Sequence, residues 1–185
     1  MSESASHKER AAALREEAAA AYLKALELNS RDSQSYFDLA LLELERMEPA
    51  RALAVLERAD KADAGDPEIY LLTGRLAQAA GDASRARIAY ERALALDARS
   101  GAAHEGLGRL DYAGGDMRGA EAHYARALEL APSVSVARTL GAIRLDAFDD
   151  RAGALSAFRL ALQMAGAGPD AAALAEVVRE LEALH

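Results

Sequence analysis

The residues best suited to chemistry here are four histidines and the acids near them, and their spacing argues against it. His104-Glu105 opens like the helix of a zinc hydrolase, in which two histidines four residues apart face one ion. Gly108 stands where the second histidine must be, so that geometry fails. His7, His104, His123 and His185 show no ligand spacing among themselves. The chain has no cysteine, which removes thiolate ligands, disulfides and a thiol nucleophile. Gly106-x-Gly108 lacks the third glycine of a phosphate cradle and falls inside a helical pattern. Serines and aspartates gather at turns, where helix capping accounts for them. These residues point to no catalysis, no resident metal and no cofactor, and the chain reads as a non-enzyme.

The elements that hold these side chains recur with a period of 34 residues. Ala18, Ala52, Ala86, Ala120 and Ala154 stand in register, and seven residues after each comes Ala25, Ala59, Ala93, Ala127 or Ala161. Between each pair of alanines lies a ring or a leucine: Tyr22, Leu56, Tyr90, Tyr124 and Phe158. Small residues where helices touch, with a bulky one between them, mark a helix-turn-helix repeat. The pattern predicts a first helix over 5–28, pairs at 33–46 with 49–62, 67–80 with 83–96, 101–113 with 117–130 and 135–147 with 151–165, and a last helix over 169–184. Gly81-Asp82 and Gly114-Gly115-Asp116 supply a left-handed residue and an N-cap at the turns within pairs. Asp149-Asp150 does so without glycine, and Pro49 starts a helix after Met47-Glu48. Pro67, Pro132 and Pro169 mark joins between repeats.

On these residues the chain resembles the tetratricopeptide repeat (TPR) family. The family's Leu-Gly of the first helix reads Leu39-Ala40, Thr73-Gly74 and Leu107-Gly108, and Leu140-Gly141 falls one residue early, which suggests a deletion near Pro132. Its tryptophan-like position holds Tyr36, Tyr70, His104 and Arg138, so His104 falls on a packing column, while His123 falls on an outer surface. The resemblance implies an all-α fold, a right-handed superhelical solenoid of antiparallel helix pairs with a C-terminal capping helix. It implies a single TPR domain over 1–185, with an N-terminal half repeat at 1–30, repeats at 33–66, 67–100, 101–134 and 135–168, and a cap at 169–185. In that cap Leu174, Val177, Val178, Leu181 and Leu184 share one apolar stripe.

The resemblance also implies a working surface, the concave face lined by the first helix of each pair. Its positions carry Phe37, Leu41 and Leu44 in the first repeat, Glu68, Arg75 and Gln78 in the second, and Glu105, Arg109 and Tyr112 in the third. In the fourth they fall near Thr139, Ile143 and Asp146. Phe37, Leu41 and Leu44 would form an apolar floor, and Arg75 and Arg109 would take acidic groups of a peptide unless Glu68 or Glu105 neutralises them. The lysines and asparagines of the family's carboxylate clamp are absent. The expected function is an adaptor or assembly scaffold that binds a peptide segment of a protein partner carrying acidic and apolar anchors. The alternatives are a chaperone of secretion or pilus assembly and a self-associating scaffold. The latter would form homo-oligomers through the first helix, which has no preceding partner.

Composition narrows the classes further. A net charge of −8 argues against general nucleic-acid binding, which needs a concentrated basic face. No apolar run reaches the length of a membrane span, and charges interrupt every leader-like run in the first seventeen residues, so a cytoplasmic location is expected. Lysine occurs only at positions 8, 24 and 61 against many arginines, a bias expected of a GC-rich bacterial genome.

Overall fold

The computed structural model describes residues 2–183, so Met1, Leu184 and His185, including the last leucine of the expected capping stripe, lie outside the described residues. Among the described residues there are ten helices and no strand. They divide into two compact units, Met1–Leu96 and Asp97–His185.

The first unit holds α1 (Ser2–Leu28), α2 (Ser33–Glu45), α3 (Pro49–Lys61), α4 (Pro67–Ala79) and α5 (Ala83–Leu96). Helices α2 with α3 and α4 with α5 form tightly packed hairpins, and α1 packs on α2. The boundaries follow from local chemistry. Pro49 and Pro67 occupy first turns, where a missing N–H costs nothing, and Asp66 accepts from the Glu68 N–H. Asp82 Oδ1 accepts from the Arg85 N–H after Gly81 takes φ +80°. The core joins Ala19 and Leu26 of α1 to Tyr36, Leu39 and Ala40 of α2, Leu56 and Ala59 of α3, and Ile69 of α4.

The second unit holds α6 (Gly101–Gly114), α7 (Met117–Leu130), α8 (Val134–Phe148), α9 (Arg151–Ala165) and α10 (Pro169–Ala183). Again α6 with α7 and α8 with α9 are hairpins, and α10 packs on α9. Ser100, Asp116, Ser133 and Asp150 each cap a helix with a side-chain oxygen. Leu174, Val178 and Leu181 of α10 are buried against Phe158 and Ala161 of α9, while Glu176, Arg179, Glu180 and Glu182 are exposed. The last helix thus closes the unit with a polar outer face.

The expected deletion is local. The cap of α8, Ser133, comes one residue early relative to Ser100 of α6, and α8 has 15 residues against 14 for α6. The longer helix restores the phase, so Ala154 and Phe158 return to their columns and are buried like their counterparts. Close approach is kept throughout. A Cβ on Gly74 would meet the Tyr90 ring at 2.6 Å, and one on Gly108 would meet Tyr124 at 3.1 Å.

Candidate peptide-binding faces

The first-type helices α2, α4, α6 and α8 carry the expected working residues, and the structure sorts them by exposure. On α2, Leu41 is 39% exposed, whereas Phe37 and Leu44 are half-buried and pack against the core of their unit. A cavity of about 230 Å³ beside Leu41 is lined by Ala18, Tyr22, Asp38, Leu42 and Glu45. The apolar floor is therefore narrower than three adjacent side chains imply, with Leu41 its accessible part.

On α4, Arg75 is exposed and makes no ion pair among the described residues, and Glu68 is exposed as well. Gln78 is committed to packing, since its Oε1 accepts from the Tyr90 hydroxyl at 3.0 Å. On α6, Arg109 Nη1 donates to Glu105 Oε1 at 3.0 Å, one turn away. Of the two arginines singled out from sequence, one is held by a neighbouring acid and the other is open. Tyr112 is 52% exposed and borders a cavity of about 300 Å³ with Met117, Ala142, Ile143, Asp146 and Ala147. Ile143 forms part of that wall but is otherwise buried, and Thr139 donates its hydroxyl to the Ser135 carbonyl.

Two polar clusters escaped the sequence reading. In the first unit, Asp60 of α3 accepts from the Tyr70 hydroxyl at 2.8 Å and from Arg92 of α5, whose guanidinium lies 5.5 Å from the Tyr70 ring centroid. Burial, then the Asp60 carboxylate, raises the Tyr70 pKa above the ordinary phenol value, so the hydroxyl stays a donor. Together with the Glu57–Arg85 pair (2.7 Å) and exposed Ile88, this cluster borders a cavity of about 220 Å³. It joins three helices, so no local spacing reveals it.

In the second unit, His104 Nδ1 lies 3.1 Å from His123 Nδ1, with ring centroids 5.4 Å apart. The rings meet end-on, which suits one shared proton and not two lone pairs converging on an ion. His123 Nε2 lies 3.7 Å from the buried Asp111 carboxylate. Burial, with the charges of His123 and Arg126, lowers the His104 pKa. His104 is half-buried, as its packing column implies, but its partner His123 is not a free outer-surface residue. Among the described residues no three His, Cys, Asp or Glu side chains are grouped to hold a metal ion. No helix there is long and apolar enough to cross a membrane.

Solved structures place this architecture among known proteins. The crystal structure of MamA superposes with a TM-score of 0.71 at 22% identity, covering 85% of this chain and 92% of that one. YrrB, described as a TPR protein with an unusual peptide-binding site, gives 0.69 at 20% identity, covering 92% and 86%. TTC0263, a thermophilic TPR protein of Thermus thermophilus, gives 0.60 at 18%, covering 94% and 93%. These likenesses establish the fold. No curated protein matches the sequence. The family model described as tetratricopeptide repeat matches residues 8–67 and 71–135, and with that span the chain belongs to the tetratricopeptide repeat family, whose fold commonly serves as a protein-interaction scaffold.

Proposed function

We propose that this protein is an adaptor that captures a segment of a partner protein along its first-type helices. Arg75 is the observation that carries the reading. It is exposed on α4 and unpaired among the described residues, although Glu68 shares its helix. A guanidinium held open on a rigid helix suits a carboxylate, and such a contact contributes about 1.5–3 kcal/mol when partly desolvated. In the same unit, Leu41 and the cavity beside it accept an apolar side chain. In the second unit, the cavity at Tyr112 offers another apolar seat. Arg109 reads an acid only by leaving Glu105, and an exposed pair of that kind is held by roughly 0–1 kcal/mol, so exchange is open to it. The peptide-binding site for which YrrB is described supports the same class of job on this fold.

Selection from a random peptide library against the wild-type protein and an Arg75→Glu variant tests the reading. The expected result is a set of wild-type binders that share a carboxylate and an apolar residue and are lost in the variant. Binders retained equally by Arg75→Glu and by Arg75→Glu, Arg109→Glu would overturn it.

A further inference from the structure

We propose that two copies of this chain pair through α1, antiparallel and in one register. The inference does not rest on the peptide-capture reading, although Ala18 belongs both to this surface and to the cavity beside Leu41. It begins with the columns that define the repeat. In α3, α5, α7 and α9 the two alanines and the ring or leucine between them are buried. In α5, α7 and α9 a glycine of the preceding first-type helix lies against that ring. Helix α1 carries the same columns at Ala18, Tyr22 and Ala25, but all three are only half-buried, with no glycine-bearing helix packed on them among the described residues. At 27 residues it is also nearly twice as long as any other helix.

The flank beside the core-facing side of α1, with Ala18 at the edge of the core, has a regular pattern. Ala11, Leu14, Ala18, Ala21, Ala25 and Leu28 recur at alternating steps of three and four residues, the heptad spacing of a two-helix seam. Leu14 is 58% exposed and Leu28 83% exposed, an apolar load that a single copy leaves in water.

A second α1 fits this seam. Set antiparallel, Ala11 lies opposite Leu28 of the second copy, Leu14 opposite Ala25, and Ala18 opposite Ala21, and the two-fold axis repeats each layer. Every leucine meets an alanine, so the helices approach evenly without overpacking. A parallel pair would instead set leucine on leucine and alanine on alanine. Charge selects the same register. Glu17 and Lys24 each precede a seam alanine and make no ion pair among the described residues. In this register Glu17 of each copy flanks Lys24 of the other, giving two complementary contacts. The other terminal helix does not compete for the seam, because the outer face of α10 is charged and its apolar stripe is already buried.

Mass by sedimentation equilibrium over a wide concentration series tests the proposal. Wild type is expected to approach the dimer mass. Lys24→Glu turns both cross-contacts repulsive and should raise the dissociation constant about tenfold. Glu17→Lys, Lys24→Glu together should restore it, and Leu14→Glu should give a monomer with unchanged helical circular dichroism. A wild-type monomer throughout the series overturns the proposal and leaves the seam to a different protein. A dimer indifferent to both Lys24→Glu and Leu14→Glu overturns it as well, by placing the contact on another face.

Discussion

A Cβ built on Gly141 would lie 3.0 Å from three atoms of the Phe158 ring, so the α8–α9 hairpin closes only because that residue has no side chain. The first hairpin solves the same problem differently, with Ala40 on the first helix and Leu56 in place of a ring on the second, both buried. The two positions are coupled. Gly141→Ala should destabilise the protein by about 1–3 kcal/mol through overpacking. Phe158→Leu should cost roughly 1 kcal/mol, but the double variant should cost less than the sum of the two. Chemical denaturation of all four proteins gives the coupling. Strict additivity would mean that the backbone shifts to absorb the methyl group.

Arg46 ties α1 to α2 through two acids. Its Nη1 donates to Glu43 Oε1 at 3.1 Å, and its Nη2 lies 2.8 Å from Glu16 Oε1. Glu43 is buried, so removing the guanidinium leaves a carboxylate without compensation. Arg46→Met should therefore cost about 3 kcal/mol, far more than an exposed ion pair contributes. Replacing both, as in Glu43→Leu, Arg46→Met, should recover most of that loss. A double variant as unstable as Arg46→Met would show that the cost lies in packing of the arginine stem.

Burial of His104, end-on to His123, makes stability depend on pH. Burial first, then the charges of His123 and Arg126, depress the His104 pKa below the value of about 6.5 expected in the unfolded chain. As pH falls below about 6.5, the unfolded chain takes up this proton before the folded one does, and stability declines until the folded pKa is passed. The thermal midpoint should therefore drop more steeply from about pH 7 toward about 5.5 in wild type than in His104→Gln. Comparing slopes removes any constant packing loss in the variant. Parallel curves would refute the assignment.

Helix positions were legible because period, small-residue columns and caps all report the same packing. The expected pair at 101–113 and 117–130, for example, is observed as Gly101–Gly114 and Met117–Leu130. The faces were less legible. Phe37, Leu41 and Leu44 share one side of α2, yet two of them lean into the core, and only three-dimensional packing decides which. The pairing of Arg109 with Glu105 follows a four-residue step, but nothing local says that Arg75 stays open. The Asp60, Tyr70 and Arg92 cluster draws on three helices, so it becomes visible only after folding.

The turn after α2 carries the last prediction. Met47, Gly81, Gly115 and Asp149 fall one period apart, and all four adopt positive φ. Glycine accepts that conformation without strain, whereas a residue with a Cβ is disfavoured there by about 1–2 kcal/mol. The Met47 side chain is exposed, so little packing is lost by removing it. Glycine adds flexibility to the unfolded chain, offsetting roughly 0.5–1 kcal/mol. Met47→Gly should then stabilise the protein by about 0.5–1 kcal/mol, a rise of a few degrees in the thermal midpoint. Met47→Ala keeps the strain and should leave the midpoint unchanged. An equal rise in both variants would assign the gain to loss of an exposed apolar side chain, and a fall in Met47→Gly would mean that the methionine is held in place by contacts that outweigh its backbone strain.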